Sequence, residues 1–250
     1  MDFEAKMCLG IAVPQSIRDF MIAGPQPQPS TTDALVRAEI ERFGEEHDLP
    51  PAEIDKACQL ASGSDDLVIL LERPADNHAY MAPFGAFVRD CHTLQAVDEM
   101  IRFVTRESRS IYNTSVLDAF MFKPLNRQDR YSNTTCHDLV EVLLRIKKPH
   151  TLLACCKDIE SDHWLKRFRG YRHDARRVQT IPGLELEDIG GQQVRTVRSS
   201  HPGYCINHVI YNPELRMKMI LGLAMAFART EENQRQLIEA ASKVSPISNR

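Results

Sequence analysis

The chain has 250 residues, 43% of them hydrophobic, and a net charge of −3, which is enough length and apolar content for one large α/β domain with its own core. Its longest apolar run, residues 219–228, is shorter than the roughly 18–20 residues that cross a bilayer, and acidic residues stand near the start, where a secretory signal carries lysines. Seven cysteines without a Cys-x-x-Cys pair argue against a disulfide framework or a zinc ribbon, so we expect an intracellular protein, nuclear or cytoplasmic, with no membrane partner.

Residues 1–66 are predicted to form an acidic N-terminal region, with 13 Asp and Glu against five Lys and Arg, whereas the rest of the chain is net basic. The segment GPQPQPSTT, residues 24–32, indicates an extended proline-rich spacer. A helix is predicted over 33–47, capped by Asp33, and a second helix after Pro50 and Pro51, ending near residue 60. We therefore expect a small helical appendage over 1–66, with a protein partner for its acidic surface.

Strands and helices alternate from residue 67 onward. Strands are predicted over 67–71, 110–120, 150–156 and 194–200, and helices over 85–106, 134–147, 161–170 and 213–229. The run LVILL at 67–71 is typical of a strand buried on both faces. The alternation predicts an α/β domain over 67–250, built on a mostly parallel, four-stranded sheet with helices on both faces.

Polar side chains follow the predicted strands at the edge where ligands bind in such sheets. Glu72 and Asp76 come after the first strand, Asn113 lies in the polar tip of the second, and His201 follows the last. We expect a carboxylate, an amide and a histidine to meet in one crevice there. Such a group can position water, read the edge of a planar heterocycle and stabilise negative charge.

A basic, aromatic segment lies between the third and fourth predicted strands. The run HWLKRFRGYRHDARRV, residues 163–178, carries six Lys and Arg against one Asp, interleaved with three aromatic residues. This composition indicates a surface that follows phosphates and stacks on bases, with Lys166, Arg167, Arg169 and Arg172 as nucleic-acid contacts. The alternative is a solvated amphipathic helix whose aromatic side chains face the core.

Several motifs together resemble the uracil-DNA glycosylase superfamily. LLERPADN at 70–77 looks like its first motif, APFGAF at 82–87 is similar to its Pro-Phe-x-Gly segment, and SSHPGY at 199–204 looks like its last motif. Between them, SIYNTSVLDAFMFKPLNRQ and CHDLVEVLLRIKKPHTLLACC parallel the strand with a base-reading Asn and the helix that leads to the next strand. Order and spacing agree over 67–229, and the resemblance implies a three-layer α/β/α sandwich.

The resemblance also implies roles for the residues at the base pocket. His201 would be a neutral donor to a carbonyl oxygen of an extruded base, and Glu72 would position or activate water, with Asp76 as its substitute. Phe84 would stack on the base. Asn113 would pair with the edge of the base, or Thr114 would take that role if the strand is shifted by one residue.

The last motif would contact the nucleic acid itself. In the resemblance, Pro202 and Gly203 belong to a turn whose amides hold phosphates, and Tyr204 would fill the space that the extruded base leaves in the stack. The partner implied is DNA, single- or double-stranded, and the lesion would be uracil or another modified base.

Three positions depart from the family pattern. Leu71 stands where the family has Gly, Arg73 stands where several branches carry the Asp or Asn that activates water, and Gly203 replaces Ser after His-Pro. The N-terminal cysteines of the iron–sulfur branch are missing, and Cys136 stands at one ligand position without partners, so we expect no cluster, no metal and no other cofactor.

Two functions follow from these residues. The first is a glycosylase that flips a modified base and hydrolyses its N-glycosidic bond. The second is a protein that keeps the fold, has lost the chemistry, and serves as a nucleic-acid or protein interaction module. His201 as a turn cap, Glu72 in a surface ion pair and Phe84 in the core are the plainer alternatives for single residues.

Overall fold

The computed structural model describes residues 27, 29–156, 163, 184–199, 201–203, 213–228, 232–233, 235–236 and 239. Within them the chain is an α/β protein. Its helices and strands are α1 Asp33–Glu46, α2 Pro51–Ala61, β1 Ser64–Leu71, α3 Phe84–Asp90, α4 His92–Val104, β2 Thr114–Asp118, α5 Asn133–Lys147, β3 Thr151–Ala154, β4 Leu184–Ile189, β5 Gln192–Arg198 and α6 Pro213–Phe227. None of the described helices is long and apolar enough to cross a membrane.

Among the residues that the structure describes, the sheet is mixed and has five strands in the order β2-β1-β3-β5-β4. The first four run parallel, and β4 pairs antiparallel with β5. The prediction of a mostly parallel sheet is confirmed, but the prediction of four strands is wrong because β4 was missed. This strand forms a hairpin with β5 through Gly190 and Gly191, whose φ values of 60° and 87° suit a two-residue turn between antiparallel strands.

Both faces of β1 are buried, as the LVILL run predicts. Leu67, Ile69 and Leu71 belong to one hydrophobic cluster, which also contains the buried residues of α3, α4 and α6. Val68 and Leu70 belong to another cluster, which contains buried residues of α1 and α5. The strict alternation along β1 follows from the two-residue period of a strand.

The helices α1 and α2 pack into the same core as the sheet. Val36 and Ile40 of α1 are buried in the cluster that includes Leu117 of β2. The ammonium of Lys147, at the end of α5, is fully buried and bonds to Asp33 Oδ1 at 3.1 Å and Asp65 Oδ1 at 3.0 Å. These contacts cross the boundary expected at residue 66. Asp33 therefore joins α1 to β1 and α5 instead of capping its own helix, whose N-cap is Thr32.

The other predicted elements agree with the structure to within a few residues, with two exceptions. The single helix expected over 85–106 is two helices, because Cys91 is extended with ψ of 110° and separates α3 from α4. The strand expected over 110–120 is shorter, and a 3₁₀ turn over Ile111–Asn113 precedes it. The predicted helix over 161–170 lies outside the described residues, except for His163, as do residues 24–26 and 28 of the spacer.

Candidate functional site

A cavity of about 320 Å³ lies at the carboxyl ends of β1 and β2. The register of these parallel strands places Leu71 beside Asp118 at this edge, and the chain continues from both into the wall of the cavity. The size is at the lower end of small-molecule pockets, and it suits a single ring system. Its polar and aromatic wall contains Glu53, Lys56, Glu72, Arg73, Asp76, His78, Tyr80, Phe87, Asp118 and His201.

The structure brings together four of the predicted site residues. Glu72, Asp76, His201 and Gly203 all line this cavity, although 125 residues separate the nearest of them across the two motifs. Two segments distant in the chain meet here because both follow strands of the same parallel sheet. Residues of the first and last motifs therefore line one crevice, and the roles expected of them stay predictions.

The turn after β5 fixes one side of the His201 ring. The backbone N–H of Gly203 donates to Nδ1 of His201 at 3.2 Å. A neutral ring that accepts at Nδ1 carries its proton on Nε2, so Nε2 is the donor. A Cβ on residue 203 would lie 2.9 Å from Oγ1 of Thr93 and 3.1 Å from Nδ1 of His201. This close approach favours glycine at position 203.

Asn113 and Thr114 lie at the wrong end of β2 for the base-reading role. The strand begins at Thr114, so both residues are at its amino end, about 13 Å along the strand from Asp118 at the cavity edge. The Asn113 side chain accepts from the backbone N–H of Ser110 at 2.9 Å and closes the 3₁₀ turn. Thr114 is buried and paired with Ser64 of β1.

Phe84 does not line the cavity, and Pro202 is buried beside His201 without lining it. The Phe84 ring is half-buried, packing edge-on against Tyr112 with centroids 5.5 Å apart. The aromatic wall is instead formed by His78, Tyr80, Phe87 and Phe122. The rings of His78 and Phe87 are stacked, with centroids 4.6 Å apart and planes 22° apart.

Asp118 is a cavity residue that the motif comparison did not select. It ends β2 and lies beside Leu71, so its carboxyl group enters the cavity together with the residues that follow β1. Burial raises its pKa to about 7, the charge of Arg73 opposes that rise, and the charge of Glu72 adds to it. A carboxyl group with this pKa changes protonation near neutral pH, as a general acid or base must.

Glu72 and Asp76 differ in how they are engaged. Glu72 has a side chain 16% exposed, and its Oε1 lies 3.8 Å from Nε of Arg73. Asp76 is exposed, and its Oδ1 accepts from the backbone N–H of Asn126 at 3.1 Å. Asp76 therefore ties the 124–128 loop to the segment after β1, which favours Glu72 over Asp76 for a direct role.

His78 supplies a neutral ring to the cavity. Burial lowers its pKa to about 4, so the imidazole is uncharged at neutral pH. Its Nε2 lies 4.0 Å from Sγ of Cys91, and burial raises the pKa of that thiol. The pair is therefore an uncharged imidazole and a thiol at neutral pH, which makes Cys91 a poor nucleophile.

The helix α2 forms a further part of the wall. Glu53 is buried, and its carboxylate accepts from Arg127 and Arg130, each at 2.8 Å. Lys56, one turn later, also lines the cavity. The sequence analysis predicted that this helix belongs to a separate appendage. Its position at the cavity results from contacts between residues that are far apart in the sequence.

Five predicted contacts lie outside the described residues. They are Tyr204, Lys166, Arg167, Arg169 and Arg172.

One group of side chains with metal-ligating atoms is found among the described residues. Ligand atoms of Asp138, Glu141 and His163 lie within 4.8 Å of one another, away from the cavity. His163 Nε2 is 3.2 Å from Asp138 Oδ1, and Glu141 is in an ion pair with Arg145. Cys136 is buried, with its sulfur 3.6 Å from the backbone carbonyl oxygen of Ser132 and 3.8 Å from that of Met121.

Neither a scan of protein-family models nor a search of curated proteins returned a match to this chain.

Proposed function

We propose that this protein is a nucleic-acid glycosylase that takes one modified base into the cavity and hydrolyses its N-glycosidic bond. The observation that carries the proposal is the convergence of Glu72, Asp118 and His201 on one cavity of single-base size. The two carboxyl groups can activate water, and the neutral imidazole of His201 can donate a hydrogen bond that stabilises a departing base. In this proposal the protein is a divergent member of the uracil-DNA glycosylase superfamily.

The fold supports the proposal in two ways. Four of the five described strands, β2, β1, β3 and β5, run parallel to one another, which is consistent with the mostly parallel sheet that the resemblance implies. The alternation of β1 side chains between two hydrophobic clusters supports helices on both faces of this sheet, as in a three-layer α/β/α sandwich. The first and last motifs follow β1 and β5 and reach the cavity, which supports the proposal, whereas Asn113, Thr114 and Phe84 lie outside it.

Each step of the proposed hydrolysis is assigned to a residue of the cavity. Breaking an N-glycosidic bond builds positive charge on the sugar and negative charge on the base. Nε2–H of His201 donates to a carbonyl oxygen of the base, and its role is electrostatic. Asp118 removes the proton of the attacking water, since its pKa of about 7 lets the carboxylate form at neutral pH. Glu72 orients that water, and Phe87 and Tyr80 pack on the base.

The second candidate function is binding without chemistry. Arg73 favours it, because a cation stands where several branches of the family place the residue that activates water. In this version the cavity still accepts a base, and the protein acts as a nucleic-acid module. DNA is the proposed partner in both versions, the cell interior the proposed location, and a protein partner is proposed for the acidic region 1–66.

A cleavage assay separates the two candidates. Single- and double-stranded oligonucleotides carrying one uracil, hypoxanthine or xanthine are incubated with the wild type, His201→Ala and His92→Ala, and abasic sites are revealed on a gel. We expect abasic product from the wild type and from His92→Ala, whose histidine is exposed at the start of α4, and a loss of about 100-fold or more in His201→Ala.

Other outcomes of that assay are equally informative. A wild type that shifts the oligonucleotide but releases no base supports the binding module and contradicts the glycosylase. Equal product from the wild type and His201→Ala places the chemistry elsewhere. The absence of both abasic product and a shift of the oligonucleotide would contradict both functions.

A further inference from the structure

The guanidinium of Arg73 lies in the cavity, and two of its nitrogens have no hydrogen-bond acceptor among the described residues. Its side chain is only 15% exposed, and within the described part of the chain its Nε and Nη1 are buried and form no hydrogen bond. The closest carboxylate oxygen, Oε1 of Glu72, is 3.8 Å from Nε, which is beyond hydrogen-bond distance. Buried donors in native proteins nearly always have a partner, so these two require an explanation.

Aromatic packing positions the guanidinium. Its Cζ lies 4.3 Å from the centroid of the Phe120 ring, and Phe120 is 3% exposed. The backbone N–H of Phe120 donates to the carbonyl of Glu72 at 2.9 Å, so the segments that carry Arg73 and Phe120 are joined beyond the ends of their strands. The cation is thus fixed at the cavity wall by a cation–π contact that satisfies none of its N–H donors.

The charges around the cavity leave Arg73 available for a ligand. Glu53 is already paired with Arg127 and Arg130, and Asp76 with a backbone amide. Asp118 is held partly protonated near neutral pH by its burial. Glu72 faces Arg73 at 3.8 Å, and Asp118 is near enough for the charge of Arg73 to oppose the rise of its pKa, but neither carboxylate is hydrogen-bonded to Nε or Nη1. A ligand that brings an anionic oxygen would complete the hydrogen bonds of the guanidinium.

We propose that Arg73 makes the cavity an anion-binding subsite, which holds the departing base by its anionic oxygen. This inference rests on the proposed hydrolysis and adds to it the form in which the product leaves. The C1′–N bond breaks with its electron pair on the base, the water oxygen bonds to C1′, and the water proton passes to Asp118. The base anion stays on Arg73 until solvent protonates it.

Binding of free bases tests this subsite without any cleavage. Two pairs of similar shape and different acidity are used, uracil with 5-fluorouracil and hypoxanthine with xanthine, at one fixed pH near 8, with affinities measured by ligand-observed NMR. We expect the wild type to bind the more acidic member of the accepted pair about tenfold more tightly, because charge-assisted hydrogen bonds are roughly twice as strong as neutral ones.

Variants of Arg73 identify the residue responsible. In Arg73→Gln the two members of the pair should bind within about twofold of each other, and Arg73→Lys should keep part of the preference. The control is Arg89→Gln, an arginine with a 73% exposed side chain outside the cavity, which should behave like the wild type. A preference that survives in Arg73→Gln, or no detectable binding of any base by the wild type, overturns the proposal.

Thermal unfolding without ligand distinguishes a binding role from a structural one. A buried cation with unmet donors destabilises the empty protein, so Arg73→Met should raise Tm by about 2–4 °C. A fall in Tm would mean that Arg73 holds the fold together, and would overturn the proposal. If the protein prefers the more acidic base through Arg73 but cleaves no oligonucleotide, the anion-binding subsite is supported and the hydrolysis is rejected. If it cleaves without that preference, the hydrolysis is supported and the subsite is rejected.

Discussion

Asp118→Asn is expected to lower the rate of base release by about 100-fold or more, because the amide cannot accept the proton of the attacking water. In the wild type the rate should rise with pH and level off above about 7, as the Asp118 carboxylate forms. In the variant this rise should disappear. Single-turnover rates between pH 5 and 9 measure both effects. An unchanged profile in Asp118→Asn would remove this residue from the mechanism.

The same pKa predicts how stability depends on pH. The folded state holds the Asp118 proton up to about pH 7, whereas the unfolded chain releases it near the ordinary value of 3.8. The free energy of unfolding should therefore fall as pH rises from about 4 to about 7, and this contribution should be absent in Asp118→Asn. The variant should thus have the higher Tm at pH 8. Asp90→Asn, with a 58% exposed side chain, is the matched control and should follow the wild type.

Arg109→Ala is expected to lower the free energy of unfolding by about 3–5 kcal/mol, the largest stability effect that we predict. The Arg109 side chain is fully buried, and its two Nη atoms donate to the two carboxylate oxygens of Asp66 at 2.8 and 2.5 Å. Its Cζ also lies 5.0 Å from the Phe227 ring of α6. Truncation would leave Asp66 without this partner and open a space between β1 and α6. Urea unfolding followed by circular dichroism measures the loss.

A double-mutant cycle separates the ion pair from the packing. Asp66→Ala combined with Arg109→Ala should cost less than the sum of the single losses, with a coupling energy of about 1–3 kcal/mol. Arg89→Ala, which breaks an exposed pair with Asp90, should cost less than about 1 kcal/mol. A loss of that small size in Arg109→Ala would contradict the role assigned to the buried pair.

The predictable parts of this fold are those set by local pattern. The apolar run at 67–71 has the length and composition of a strand covered on both faces, and it lies within β1. The helix α5 begins after Ser132, whose side chain accepts from the backbone N–H of Thr135, and this local cap makes its start readable. Such signals need no knowledge of the rest of the chain.

The sequence of β4 contains a signal for a hairpin, although it has no continuous apolar run. Its sequence LELEDI alternates apolar and acidic residues at first, and Gly190-Gly191 follows directly, which together are typical of a hairpin. The high acidic content conceals the strand when strands are sought as apolar runs. An edge strand tolerates charges because one side faces away from the sheet.

The predictions for β2 were wrong because the sequence does not show where this strand begins. The 3₁₀ turn at Ile111–Asn113 has a sequence that continues smoothly into the strand, so no local pattern marks the boundary. A shift of this kind changes which residue reaches the carboxyl edge. In the structure, the expected amide residue, Asn113, precedes the amino end of β2, and Asp118 is the residue of this strand that reaches the cavity from its carboxyl end.

The candidate site was predicted where it depends on strand ends and missed where it depends on packing. Glu72 and His201 follow parallel strands, so the topology brings them together. Glu53 and Lys56 reach the cavity because α2 packs beside it, and that packing involves residues far apart in the sequence. The pKa of Asp118 likewise depends on burial, which only the folded structure reveals.

The most direct test of the account blocks the cavity without touching its polar groups. Ala75 lines the cavity, whereas Ala79 in the same loop is exposed and outside it. Free base released from oligonucleotides carrying uracil, hypoxanthine or xanthine is measured by mass spectrometry for the wild type, Ala75→Phe and Ala79→Phe. We predict release by the wild type and Ala79→Phe, and a loss of about 100-fold in Ala75→Phe with oligonucleotide binding retained. Release by Ala75→Phe at the wild-type rate, or no release by the wild type from any of the three, would contradict the account.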